Sequence, residues 1–237
     1  MTEVSSPLAT RVALHTVAAH ILGRRRFVVS GRFGLRASPG GIATPAFGGD
    51  IETLRLSGIS LVREVGATST CMALNGSTLR SLGGFVDVNL DEPFSCGADT
   101  PVLGDLDTPL DLAPTTVTAI ADWFALAWRV LDDVLTSLPK TAEFATIQLW
   151  PEHFDAATTV TLPSAGPVNL GFSPGDGFEA EPYLYVGPWG AGRPGDPGFW
   201  NVPFGAMRRR SAVRNAPDPV EFCRRFLAEG LRLVASS

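Results

Sequence analysis

Hydrophobic and polar positions alternate along residues 145 to 189 with the two-residue period of strands, which sends successive side chains to opposite faces of a sheet. Phe154, Ala156, Val160 and Leu162 fall on one face, against His153, Asp155, Ala157, Thr159 and Thr161 on the other. A second segment sets Val168, Leu170 and Phe172 opposite Asn169, and a third sets Leu184 and Val186 opposite Tyr183 and Tyr185. The pattern predicts a sheet with one apolar face and one face carrying an imidazole, a carboxylate, an amide and two phenols.

Helical periods predict three main helices. Ser6-Pro7 is a cap followed by proline at the first helical position, after which Leu8, Val12, Leu14, Val17, Ala18, Ile21 and Leu22 form a stripe to Gly23, read as the end of a helix over 7 to 23. From 115 to 138, Val117, Ile120, Phe124, Trp128, Leu131, Leu135 and Leu138 recur at three- and four-residue steps, and Pro139 ends the run. Over 219 to 234, Asp218, Pro219 and Glu221 make a capped start, and Phe222, Phe226, Leu227 and Val234 supply an apolar face. Cys223 beside them reads as a small buried hydrophobe.

Shorter alternations predict strands over 27 to 36, 53 to 57, 59 to 65, 70 to 74 and 199 to 204, with turns at Ser38-Pro39-Gly40-Gly41 and Asn75-Gly76. Residues 87 to 113, rich in aspartate and proline, read as an acidic connection. Each half therefore runs helix first and antiparallel strands after. The expected fold is α+β: helix-plus-meander units, a pseudo-repeat of two halves sharing one core, closed by a C-terminal helix. The expectation is a single domain over 1 to 237, with an N-terminal half (1 to 86), the acidic connection (87 to 113) and a C-terminal half (114 to 237).

A net charge of −5 argues against nucleic-acid binding, because that affinity comes mainly from Lys and Arg releasing counterions. The runs Arg24-Arg25-Arg26 and Arg208-Arg209-Arg210 read as solvated arginines at the ends of elements. No stretch has the length of a membrane span, and the N-terminus, with Glu3 in place of a basic leader, does not resemble a signal peptide. Cytoplasmic location is the expectation. Cys71, Cys96 and Cys223 are widely spaced and lack a C-x-x-C pair, so three free thiols are expected.

His15 and His20 are five residues apart on one helix, about 140° around its axis, and cannot chelate as an i, i+4 pair does. Each reads as a surface or hydrogen-bonded core histidine. His153 is the candidate general base, with Asp155 two residues on as the carboxylate that orients it. Asp176 reads as a turn residue bonding backbone N–H groups, or as a third group beside His153 and Asp155 if its turn folds over the sheet. No P-loop, G-x-S-x-G or G-x-G-x-x-G is present. The expectation is accordingly no cofactor and no metal.

Leu14-His15, Ile21-Leu22-Gly23-Arg24, Leu149-Trp150 through His153-Phe154-Asp155-Ala156, Asn169 through Asp176, and Glu181-Pro182-Tyr183-Leu184-Tyr185 together resemble an uncharacterised actinobacterial family carrying a domain of unknown function. The spacing from Leu14 to Gly23 is one residue longer here, and Arg24 replaces a usual lysine. The resemblance implies one integrated fold and carries no activity. From the residues themselves, the leading function is non-covalent binding of a small polar or aromatic molecule by His153, Asp155, Asn169, Tyr183 and Tyr185 on the C-terminal sheet face. The alternatives are an enzyme using the His153/Asp155 pair and a protein-interaction module, with a second copy of the chain as a possible partner.

Overall fold

A computed structural model describes residues 5–163, 166–190 and 192–236, so Glu3, noted above, lies outside the described residues. The fold is α+β, built from two antiparallel sheets with helices. The chain forms two compact units, one made of residues up to 125 with 149–154, the other of 126–148 and 155 onward.

In the first unit, α1 (Pro7–Val17) starts where the Ser6 side chain accepts from the Ala9 N–H at 3.1 Å. It continues through a π-helical segment (Ala18–Gly23) into α2 (Arg24–Ser30). Gly23 therefore does not end the helix. It keeps helical backbone, and its lack of a side chain admits Pro151, whose Cγ stands 3.2 Å from where a Cβ would be. The stop is Gly31, in the left-handed region at φ 69°. The strand expected from Phe27 is thus helix as far as Ser30, with Phe27, Val28 and Val29 on an exposed face.

Strands β1 (Arg36–Ser38), β2 (Gly41–Ala43), β3 (Glu52–Ser57), β4 (Ser60–Val65) and β5 (Thr68–Ala73) form a meander in chain order. The hydrophobic alternation of β3 is realised, with Leu54 and Leu56 buried and Thr53 and Arg55 only partly so. Asn75-Gly76 leads not into another strand but into a short helix, α3 (Leu79–Phe85), started by a reciprocal Thr78/Ser81 capping box.

The acidic stretch 87–113 has no regular element and packs on this first unit. Arg80 holds Asp91 and Asp107, Asn75 bonds Leu112, and the Thr10 hydroxyl accepts from the Ala113 N–H. Helix α4 (Pro114–Thr136) follows, and the division between units falls within it. Leu14, Ile42, Leu56, Val117, Ile120 and Phe154 meet around a void of about 10 Å³, near the size of one water probe, so this core has no room for a ligand.

In the second unit, β6 (Glu143–Phe144), β8 (Asp155–Leu162), β9 (Gly166–Ser173), β10 (Tyr183–Pro188) and β11 (Ala206–Arg209) form a sheet in the order β11-β10-β9-β8-β6. Strand β7 (Gln148–Trp150) lies between β6 and β8 in the chain, and its Leu149, itself part of the first unit, bridges Leu35 there. Register follows the sequence pattern: Val160 faces Val168, Thr158 faces Leu170, Ala156 faces Phe172, and Leu170 faces Val186. Helix α5 (Arg210–Asn215) precedes α6 (Pro219–Ala235). Helix α6 packs on β10 through Gly230, where an added Cβ would stand 2.8 Å from the Val186 methyls. The last predicted strand lies at 206–209 rather than 199–204, because Phe199 and Trp200 sit in the loop that precedes it.

Among the described residues no helix is long and apolar enough to cross a membrane. All three cysteines are free.

Candidate functional site

Four of the five predicted site residues share one face of the second sheet. Asp155, Asn169, Tyr183 and Tyr185 all lie opposite the apolar residues of their strands, as the period-two reading requires. The Tyr185 hydroxyl donates to Asp155 Oδ2 at 2.5 Å, and the Tyr183 hydroxyl donates to Asp176 Oδ2 at 2.5 Å, with the two rings 6.0 Å apart. Asp176 also accepts from the Phe178 and Glu179 N–H groups at 2.8 and 2.9 Å, the turn role expected of it.

Gly171 makes this arrangement possible. It is the cross-strand partner of Tyr185, and a Cβ there would stand 2.4 Å from the phenol carbon Cζ, so the ring lies over bare backbone. Phe204 meets Tyr185 edge-on at 6.1 Å and Phe178 meets Phe204 at 5.3 Å, which roofs the phenols with loop residues. Burial, and then the Asp155 charge, push the Tyr185 phenol well above its usual range. Burial, and then the hydrogen bond to Asp176, raise Tyr183 likewise. Both phenols are donors at neutral pH.

Asn169 lies further along the same face, where its Oδ1 accepts from Thr159 Oγ1 at 2.8 Å and from Trp189 Nε1 at 2.9 Å. The groups on this face thus direct their hydrogen bonds to one another.

His153 is not on this face. Strand β8 begins at Asp155, and the preceding residue, Phe154, has φ 54°, a left-handed backbone that ends the alternation. Phe154 therefore leaves the apolar face of the sheet, where the sequence put it, and packs in the first unit, stacked 5.2 Å from the His15 ring and edge-on to Phe124 at 5.4 Å. The carboxylate beside His153 is Asp99, whose Oδ2 is 3.2 Å from Nδ1, and not Asp155. Nor does Asp176 join His153, because its carboxylate is engaged by Tyr183 and its own turn. Asp99 was unreadable as a partner because it is 54 residues away in an irregular segment. The His153/Asp155 base pair is not assembled.

The other two histidines are hydrogen-bonded core residues. His15 Nε2 donates to the Pro151 and Glu152 carbonyls at 2.9 and 3.0 Å, and His20 Nε2 donates to the Pro101 carbonyl at 2.6 Å. Burial lowers the pKa of both rings.

The arginine runs correct the sequence reading. Arg24 and Arg26 are buried: Arg24 donates to the Glu92 carbonyl at 2.8 Å and lies over the Phe94 ring, and Arg26 donates to the Gly34 carbonyl. Their chains satisfy loop carbonyls that no strand pairs. Arg208 is half-buried, with its guanidinium 4.9 Å from the Phe226 ring centroid and 5.9 Å from that of Phe199.

Arg208 lines a cavity of about 530 Å³ with Phe199, Phe222, Phe226 and the first turns of α6. The acidic groups on its wall are engaged. Glu221 pairs with Arg224 and Arg225, Glu229 pairs with Arg232, and Asp218 caps the helix by accepting from the Glu221 N–H at 3.0 Å. Arg208 donates to the Met207 carbonyl, and among the described residues no carboxylate forms an ion pair with it. The clue in the sequence was Arg208 itself, which alternates with Met207 and Arg209 and so falls on the face that α6 covers.

No family model matches the sequence, and neither a curated protein nor a solved structure matches it at a significant level. The family resemblance therefore rests on the sequence motifs alone.

Proposed function

We propose that the protein binds a small aromatic acid, non-covalently, in the cavity between β11, the loop at 199–204 and the first half of α6. Arg208 carries this reading: a guanidinium stacked on two phenylalanine rings, in ion pair with no carboxylate among the described residues, on the wall of a cavity of about 530 Å³. That volume lies within the roughly 300–1,000 Å³ common for small-molecule sites, which are mostly apolar with a few placed polar groups. Burial lowers the Arg208 pKa, yet an arginine stays protonated in proteins. A ligand carboxylate would supply the missing counter-charge in a two-point bond, and an aromatic ring would continue the Phe199–Phe226 stack.

The polar sheet face, favoured from sequence, is the weaker place for a ligand, because its donors and acceptors bond one another under Phe204. An enzymatic reading through His153 and Asp155 lacks its pair.

Thermal melts and calorimetry with phenylacetate and indole-3-acetate, beside the neutral amide of each, test the proposal. A carboxylate at ~100 times its Kd adds about 2.7 kcal/mol of stability. The expected result is stabilisation by the acids, little by the amides, and loss of the acid effect in Arg208→Gln. Equal response to acid and amide, or an unchanged response in Arg208→Gln, overturns it.

A further inference from the structure

We propose that Asp99, Glu152 and His153 form a binding site for a divalent transition-metal ion of the zinc type, on the first unit and independent of the aromatic-acid cavity. One ligand atom from each of the three side chains lies within 4.8 Å of the other two. His153 Nδ1 stands 3.2 Å from Asp99 Oδ2, and His153 Nε2 stands 3.7 Å from Glu152 Oε2. The two carboxylates face different nitrogens of the ring and one ion takes only one of them, so the exposed His153 and Asp99 side chains must rotate to reach the roughly 3.3–3.5 Å ligand spacing of a tetrahedral ion with bonds of about 2.0–2.2 Å. One imidazole with two carboxylates suits zinc, cobalt or manganese, and three protein ligands leave a position for water.

Charge is the second and separate argument. Elsewhere in this unit clustered carboxylates face arginines: Glu52 and Asp87 face Arg25 and Arg63, and Asp91 and Asp107 share Arg80. Asp99 and Glu152 have no such partner. Among the described residues neither forms an ion pair with an arginine or lysine, although the Glu152 side chain is only 19% exposed. Their basic neighbour is His153, and a bound cation would add the positive charge that arginines supply to the other carboxylates.

The scaffold holds the donors from both sides. The Glu152 carboxylate lies against the α-carbon of Gly97, where any Cβ would fall 1.9 Å from its Cδ, and it accepts from the Asp99 N–H at 3.3 Å. On the other side His15 grips the Pro151 and Glu152 carbonyls, so the backbone carrying two of the donors is anchored on helix α1. Metal sites depend on groups of this kind behind the ligands.

The test uses chelator-stripped full-length protein in a Cys71→Ser background, because the exposed Cys71 thiol could hold zinc by itself. Zinc is titrated calorimetrically, and cobalt is followed by its visible absorption. The expected result is one equivalent bound, an affinity lowered at least ~10-fold in His153→Gln and in Asp99→Asn, and cobalt bands lost in the double variant. Melting curves of the metal-free variants should match the parent, since both side chains are at least half exposed. Undiminished binding in the double variant, or no binding of zinc or cobalt up to about 1 mM, overturns the proposal. Magnesium or calcium competing equally with zinc overturns the transition-metal assignment.

Discussion

Among the described residues each unit buries one sheet carboxylate, and the two are answered in opposite ways. Glu52 in the first unit is 5% exposed and receives Arg25 at 2.8 Å and Arg63 at 2.9 Å, with Arg63 passing on to Asp87 at 2.7 Å. Asp155 in the second unit is 6% exposed and receives the neutral phenol of Tyr185. The guanidiniums remain 15% and 18% exposed at their side chains, because an arginine sheds its water only in part. A tyrosine brings its donor on an apolar ring, so it can follow a carboxylate into a roofed interior. The first unit thus meets its buried carboxylate with guanidiniums, and the second meets its own with the short hydrogen bond of a phenol.

The largest expected effect is on the ion-paired carboxylate. Glu52→Ala leaves two guanidiniums with the exposed Asp87 as their remaining carboxylate and should cost about 3 kcal/mol in urea unfolding. Asp155→Asn keeps an acceptor for Tyr185 and should cost about 1–2 kcal/mol. Equal costs would break the contrast. Next is Gly171→Ala, which puts a methyl where the Tyr185 ring lies and should cost about 2 kcal/mol, with a change in tyrosine absorbance as the phenol moves. Tyr185→Phe, which removes one donor and leaves the ring, should cost about 1–2 kcal/mol.

The smallest effects are in pH dependence, and they differ in sign between the units. The folded pKa of Tyr183 and Tyr185 lies above the ordinary 10.0, so above pH 10 the unfolded chain gives up protons that the folded chain keeps. Stability is full below that pH and falls as pH rises past it. His15 and His20 have folded pKa values below 6.5, so the unfolded chain takes up protons first as pH falls, and stability is lost below pH 6.5. Denaturant titrations across pH should show both limbs, the alkaline one reduced in Tyr185→Phe and the acid one in His15→Gln. An alkaline limb unchanged in Tyr185→Phe would mean that the buried phenol is not its source.

What the sequence disclosed followed from local period. Helix α6 was readable from Asp218-Pro219 and its apolar stripe, α4 from its three- and four-residue steps, and β8 to β10 from alternation, which also put Asp155, Asn169, Tyr183 and Tyr185 on one face. What it hid depended on distant partners. Gly23 looks like a stop until Pro151 is known to need its space, and the left-handed Phe154 is compensated by His15 and Phe124, neither of them nearby in the chain. The Asp99–His153 pairing has no local signal at all. Cys223 was legible: it is buried, and burial pushes its thiol up to about 12, which keeps it unreactive.

The π-helical segment at 18–23 bears on which length changes the chain can survive. Its wider turns take up one residue more than an α-helix of the same rise. Deleting Ala19 would leave an ordinary α-helix continuous from Pro7 with the later side chains close to their present phase, because the wide turns lose the one residue they absorb. Arg25 would then still face Glu52, and Arg24 the Glu92 carbonyl. The segment works as a phase adjuster. A one-residue deletion there needs no second length change before Gly31, whereas the same deletion in the regular turns of α1 would turn every later helical side chain by about 100°.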